Sequence, residues 1–346
     1  MTRWQDLLSR SITSVQQLPA TLTDDFPDLA AVIKRFPMRI NPYYLSLIKK
    51  SGDPLWRQAV PDRRELTDDT GLADPLGEED LSPVPNLIHK YPDRALFLVH
   101  SQCAMYCRFC TRKRKVGTSG LSVTADTIRA GLDYLARTTE IRDVLLSGGD
   151  PLLLPDHRLD SILASLRSIP HLEIIRIGSR VPCTLPMRVT TRLAGILKKF
   201  HPLYINTHFN HPSEVTAEAA KACARLANAG IPLGCQTVLL RGVNDEAATI
   251  RHLMHRLLAI RVKPYYLFQG DMTMGTDHFR TPVEKGLSIM KELIGYTSGM
   301  AIPTFAVDAP GGGGKIPMLP DYEVKIGTEL TFRNFRGDLC AYHNPI

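Results

Sequence analysis

From residue 95 onward, short β-branched or apolar runs alternate with amphipathic stretches of about helical length, and this alternation limits the fold more than any other feature of the chain. The strand segments are ALFLVHS (95–101), RDVLLSG (142–148), LEIIRIGS (172–179), LYINTHF (203–209), PLGCQTVLL (232–240) and VKPYYLF (262–268). Between them lie helix segments such as VTADTIRAGLDYLART (123–138) and SEVTAEAAKACARLANAG (213–230), the second expected to open on a capping Ser213 and to stop at Gly230. Repeated βα units imply a parallel sheet, and six of them imply an α/β fold closed into an open or partial barrel, with chemistry at the carboxyl ends of the strands.

The flanks read differently. FPDLAAVIKRF (26–36) and INPYYLSLIKK (40–50) predict short helices, the latter with Asn41 as cap and Pro42 in the first turn. The acidic, Pro- and Gly-rich stretch 68–86 predicts an extended wrapping segment, and the last thirty residues a short tail with one strand, ELTFRNF (329–335). The expected units are an N-terminal helical and wrapping segment (1–88), a barrel (89–300) and a C-terminal segment with its tail (301–346).

With 346 residues, 44% of them hydrophobic, the chain can bury a large core. No apolar run reaches the length of a membrane span, and MTRWQDLLSR lacks the layout of a signal peptide, so a cytoplasmic protein with no membrane partner is expected. Seven cysteines without a secretion signal argue against a disulfide framework. The net charge is +7, and part of it lies in RFCTRKRK (108–115). That run overlaps a cysteine cluster and has no RNA-binding pattern around it, so no nucleic-acid partner is expected.

Two local patterns carry chemistry. CAMYCRFC places Cys103, Cys107 and Cys110 in C-x3-C-x2-C spacing directly after the first strand. Three thiolates on one loop can hold three irons of a [4Fe–4S] cluster, or with His100 a zinc ion. At the end of the next strand, SGGDP offers Gly148 and Gly149 for close backbone approach and Asp150 as an acceptor for an ammonium group. The second pattern is DAPGGGGKIP (308–317). A phosphate-cradling P-loop needs a glycine where Ala309 stands and a hydroxyl where Ile316 stands. What remains is either a surface turn with a solvated Lys315, or a lysine amine that forms a Schiff base with pyridoxal phosphate.

The cysteine loop with the GGD strand end resembles the radical S-adenosylmethionine enzymes. Adding Lys315, the chain resembles the lysine 2,3-aminomutase family through RINPYYLSLI, DPLGEEDLSPVPNLIHKYPDRA, CAMYCRFCTRK, LLSGGDPL, VLLRGVND, VKPYYLFQGD, HFRTPVEKG and PTFAVDAPGGGGK, in that order. The resemblance implies a partial (β/α)6 radical-SAM barrel that uses a [4Fe–4S] cluster on Cys103, Cys107 and Cys110, S-adenosylmethionine, and pyridoxal 5′-phosphate on Lys315. It implies that Arg112 pairs with the substrate carboxylate and that Asp271 and Asp308 grip the distal ammonium of lysine. Relatives acting on glutamate replace those two positions with neutral or cationic residues. Arg94, and Lys90 in place of a more usual arginine, would bind the cofactor phosphate. Gly148, Gly149 and Asp150 would lie at the methionine part of S-adenosylmethionine, and Gln236 and His208 would be strand-end polar positions near the cofactors.

The implied reaction is radical interconversion of L-lysine and L-β-lysine, an isomerisation fed by an electron donor such as flavodoxin or ferredoxin, in a homo-oligomer. Longer family members carry a C-terminal zinc-binding cysteine cluster completed by a cysteine after RGVND. This chain has Glu246 there and ends at Ile346, so no structural zinc is expected. Other readings are the same mechanism on arginine or ornithine, β-lysine supply for elongation factor P modification, a radical RNA methyltransferase, and a zinc-binding module.

Overall fold

The computed structural model describes residues 4–22 and 29–345. Short helices open the chain: α1 (Trp4–Ser9), α2 (Leu29–Arg35), α3 (Pro42–Leu47) and α4 (Pro54–Ala59). Asn41 caps α3 through Tyr44 N, with Pro42 in the first turn, as the sequence indicates. A single nine-stranded sheet follows, its strands adjacent in chain order. They are β1 (Leu87–Tyr91), β2 (Arg94–His100), β3 (Asp143–Gly148), β4 (Ile174–Gly178), β5 (Leu203–His208), β6 (Leu233–Val238), β7 (Lys263–Phe268), β8 (Thr304–Ala309) and β9 (Gly314–Pro317). From β2 to β8 every pairing is parallel, while β1 and β9 close the two edges antiparallel.

Parallel neighbours require crossovers, and six are present. They run through α5 (Ala125–Arg137), α6 (Asp156–Arg167), α7 (Val181–Thr184) with α8 (Thr191–Leu197), α9 (Ala217–Asn228), α10 (Ala247–Ala259) and α11 (Val283–Leu293). Alternation along the strands separates two faces. Val144 and Leu146, Ile175 and Ile177, Ile205 and Cys235 are buried and join the main core with α6, α9 and α10, whereas Leu145, Ser147, Arg176, His208 and Gln236 stay half-buried on the other face. The partial barrel inferred from the sequence is therefore present, with a seventh parallel strand added. No helix among the described residues is long and apolar enough to cross a membrane.

Several expectations change. The helix of 213–230 begins later: Thr216, not Ser213, caps α9 through Ala219 N, and residues 212–214 form a separate 3-10 turn. Gly230 ends the segment at φ +79°. The tail holds two strands, β10 (Glu329–Arg333) and β11 (Leu339–His343), paired as a hairpin. Strand β1 runs across residue 88, and β8 and β9 carry the same sheet past residue 300, so the barrel sheet extends beyond the expected boundaries at both ends.

Carboxylates of the wrapping segment and of the turn just before it meet the basic run. Arg108 donates to both carboxylate oxygens of Glu65, at 2.9 and 2.5 Å, and Lys113 Nζ lies 2.7 Å from Glu65 Oε2. Arg114 meets Asp74 and Glu79, and Lys115 also meets Glu79. Most of these cations face carboxylates of this chain. Arg108 is only 1% exposed and Glu65 is fully buried. Glu65→Gln would leave two buried cations sharing no anion, and should lower unfolding free energy in urea by about 3–5 kcal/mol. Glu79→Gln, at the exposed end of the same network, should cost less than about 1 kcal/mol.

Candidate active site

The cysteine loop leaves β2 and is held from both sides. Toward β3, Gly149 N donates to His100 O at 2.6 Å and Asp150 N to Gln102 O at 2.8 Å. A side chain at Gly148 or Gly149 would place Cβ 2.2 Å from His100 O or 2.3 Å from Gln102 O, so glycine is required by packing against the loop. Toward the N-terminal extension, Tyr106 N donates to Arg39 O, Arg108 N to Gln58 O, and Asn41 Nδ2 to Ala104 O.

Asp150 has a different job from the one expected. Its Oδ1 accepts from Ser179 Oγ and Leu152 N, and its Oδ2 from Arg180 N and Val181 N. With four internal donors the carboxylate has no capacity left for a ligand ammonium; it fastens the end of β3 to the turn after β4. That turn delivers Arg180, whose Nη1 donates to Cys107 Sγ at 2.7 Å while Nη2 meets Glu214 and Gln58.

The three thiols fit a cluster as a donor set. None is in a disulfide. Burial pushes the Cys103 thiol well above its usual range, with the Asp150 charge adding to it, and pushes Cys110 up to about 11. Arg39 opposes this at Cys103, and Arg112 and Lys113 oppose it at Cys110, so the loop is lined with cations that favour thiolates. A [4Fe–4S] cluster takes each thiolate on its own iron, so the three thiols need not converge on one ion.

His208 and Gln236 sit opposite each other in the β5–β6 register, with Gln236 opposite Tyr266 on β7. Burial, then the Arg180 charge, pushes His208 down to about 3, so it is neutral at physiological pH. Its Nε2 lies 2.9 Å from Asn210 Oδ1, and its ring lies 5.6 Å from that of Phe109 in the cysteine loop.

Arg112 is 14% exposed at its side chain and grips Glu78 at two points, Nε to Oε2 at 2.8 Å and Nη2 to Oε1 at 2.5 Å. Its Nη1 reaches Ser147 Oγ at a long 3.4 Å.

The second half of the site lies where the two sheet edges meet. Asp308 and Lys315 are register partners on β8 and β9, and Lys315 Nζ lies 2.5 Å from Asp308 Oδ2 and 5.1 Å from the centre of the Phe268 ring. Lys90, expected at a phosphate, instead sits 3.1 Å from Asp308 Oδ1. Tyr91 on β1 accepts Lys315 N–H at 3.1 Å through its hydroxyl and carries the Arg94 guanidinium 3.9 Å above its ring. Arg94 also meets Asp93 at 2.8 Å. A half-exposed amine flanked by Lys90, Tyr91 and Arg94 suits an anionic aldehyde cofactor.

Asp271, beyond the end of β7, completes the group. Burial and then the like charge of Asp308 push its carboxyl up to about 7, with Lys315 and Lys90 opposing. Among the described residues its carboxylate forms no hydrogen bond or ion pair. The two aspartates expected to act together are close enough for their charges to interact. Sequence reasoning missed Glu78, Tyr91, Phe268 and Arg180; Phe268 at the end of β7 and Arg180 just past β4 stood where a positional signal could have found them.

The family model described as Lysine-2,3-aminomutase matches residues 290–346, and that of the Radical SAM superfamily matches residues 98–254. The chain is similar to an L-lysine 2,3-aminomutase of Fusobacterium nucleatum, 49% identical over 99% of this chain and 82% of that protein. An L-lysine 2,3-aminomutase of Clostridium subterminale is also 49% identical, over 99% of this chain and 84% of its own length. A glutamate 2,3-aminomutase of Clostridioides difficile is 47% identical over 97% of this chain and 80% of its own length. With cysteine loop, strand end and lysine turn all in place, the chain belongs to the lysine 2,3-aminomutase family.

Proposed function

We propose that this chain interconverts L-lysine and L-β-lysine. One observation carries the choice of substrate: Asp271, a half-buried carboxylate with no partner of its own among the described residues, carries a charge that interacts with that of Asp308. Identity does not decide it, since lysine and glutamate enzymes resemble the chain almost equally. A pair of half-buried carboxylates suits a substrate that brings a cation and opposes one that brings a third anion.

Cys103, Cys107 and Cys110 would hold a [4Fe–4S] cluster that, with S-adenosylmethionine, supplies a hydrogen-abstracting carbon radical. Lys315 would hold pyridoxal phosphate, which supplies the carbonyl carbon that carries the migrating nitrogen. Lys90, which shares Asp308 with Lys315, and Arg94, which stacks on the Tyr91 ring beside Lys315, would serve the cofactor phosphate. Around these groups the protein binds and orients. Arg112 presents its remaining N–H donors to the α-carboxylate. Asp271 and Asp308 take the distal ammonium. Lys315 and Lys90 now neutralise Asp308, so an amine committed to cofactor gives up its charge there and leaves the carboxylate to the incoming cation. Neutral His208 and Gln236 offer hydrogen bonds without adding charge near the cysteines. The amino group moves from C2 to C3 and a hydrogen moves the other way, so atoms and electrons balance within the substrate. The exposed apolar side chains of the C-terminal segment, among them Ile326, Leu339 and Tyr342, support a homo-oligomer.

Anaerobic incubation with S-adenosylmethionine, a reductant and separate amino acids tests the reading. β-Lysine should form from lysine, with no β-product from glutamate; the reverse would sink the aspartate argument. Lys315→Ala should lose both turnover and cofactor absorbance while keeping its iron.

The Asp271 carboxyl gives a pH signature. A carboxyl raised by folding contributes stability that is complete below its unfolded pKa and is lost as pH rises through about 7. Relative to the parent, Asp271→Asn should therefore gain about 2–3 kcal/mol of stability between pH 5 and pH 8. Binding runs the other way, because lysine needs the ionised form. The KM for lysine should be about tenfold higher at pH 6 than at pH 8, a dependence that Asp271→Asn should flatten.

A further inference from the structure

An α-amino acid carries its amino and carboxylate groups on one carbon. A site that seats the nitrogen at Lys315 must therefore hold its carboxylate fork at a fixed spacing from that lysine. One segment touches both places. Glu78, 6% exposed at its side chain, takes the Nε and Nη2 edge of Arg112. Three residues earlier, Pro75 O accepts from Gly311 N at 3.0 Å, four residues before Lys315. Gly77, at φ +62°, lies against the same turn, where an added Cβ would be 3.2 Å from Gly311 C. A Cβ on Gly312 would lie 2.7 Å from Leu81 Cδ1. Residues 75–81 thus bear on the fork at one point and on the lysine turn at three.

The edge that Glu78 occupies matters. A carboxylate standing in for substrate would take the end-on pair, Nη1 with Nη2. Glu78 sits side-on and leaves both Nη1 hydrogens and one Nη2 hydrogen, with only the long Ser147 contact competing. Among the described residues the Glu78 carboxylate has no other partner.

We propose that Glu78 is a positioning residue for substrate recognition: it locks Arg112 side-on so that its end-on donors meet the α-carboxylate, and its segment sets that fork relative to Lys315. This rests on the reading that Arg112 binds the substrate carboxylate.

The test compares Glu78→Gln, Glu78→Asp, Glu79→Gln and Arg112→Gln in the cluster- and pyridoxal-loaded protein. Two readouts are the KM and kcat for lysine and the dissociation constants of lysine and lysinamide, whose neutral amide replaces the carboxylate, taken from the change each makes in cofactor absorbance. Glu78→Gln should weaken lysine about tenfold or more, chiefly in KM, and reduce the preference for lysine over lysinamide by a similar factor. Iron content and cofactor absorbance should match the parent, while the melting temperature should fall because Arg112 loses its anion. Glu78→Asp should recover part of the preference, and Glu79→Gln should keep all of it. An unchanged preference in Glu78→Gln overturns the proposal, as does tighter lysine binding, which would make Glu78 a plug. If Glu78→Gln proves unstable, Glu78→Asp decides: its preference must fall between that of the parent and that of Arg112→Gln. A preference untouched by Arg112→Gln removes the Arg112 reading itself, an outcome distinct from failure at Glu78 alone.

Discussion

The approach of the β3 end onto the cysteine loop is the constraint on which the rest depends. Two backbone hydrogen bonds, from Gly149 N and Asp150 N to His100 O and Gln102 O, extend the β2–β3 pairing past the last regular residues. They form only because positions 148 and 149 have no side chains. Once the backbones meet there, Asp150 is carried inward to the turn after β4, and that turn returns Arg180 to Cys107. The N-terminal extension adds a third support through Arg39, Asn41 and Gln58. Three thiols on a loop would otherwise be mobile, and a cluster ligand set benefits from being fixed before it is filled.

Most charges in the interior are paired with an opposite charge. Arg108 and Lys113 share Glu65, Arg112 has Glu78, Arg180 has Glu214, and Lys90 and Lys315 share Asp308. Each set avoids the large cost of an isolated buried ion. Two carboxylates depart from that pattern: Asp150 is satisfied by four neutral donors, whereas Asp271 has no partner among the described residues, and burial with the Asp308 charge raises its carboxyl. A substrate ammonium would give Asp271 the kind of partner that those paired sets already hold.

The barrel was legible because strand and helix periods alternate plainly between residues 95 and 268, and all six expected strands formed. Strands β1, β8 and β9 were not, because their signals are tertiary: GKIP becomes a strand only by pairing with β8 through Asp308 and Lys315. The cap of α9 was misplaced because Ser213 and Thr216 both satisfy the local rule, and a separate turn at 212–214 takes the first. At the site, cysteine spacing and the two aspartates could be found from the residues and their resemblance. The role of Asp150 could not, since a carboxylate beside glycines reads the same whether its donors come from a ligand or from a neighbouring turn. Glu78 was equally hidden among the carboxylates of GEED; only folding shows which one meets Arg112.

The relatives sharpen where specificity resides. Proteins that act on a cationic and on an anionic side chain differ from this chain to nearly the same extent overall, so the fold and most of the core are common to both tasks. The carboxylate end of an amino acid is the same in lysine and glutamate, and Arg112 with Glu78 beside it is the pair proposed for it. The distal end is where the two substrates differ in sign, and Asp271 and Asp308 are proposed to meet it. On that reading one face of the site can stay fixed while two side chains on another set the charge that the substrate must bring. Lys90 tempers that face, since its amine already satisfies one oxygen of Asp308. The demand for a cation consequently falls most heavily on Asp271, the carboxylate that folding leaves without one.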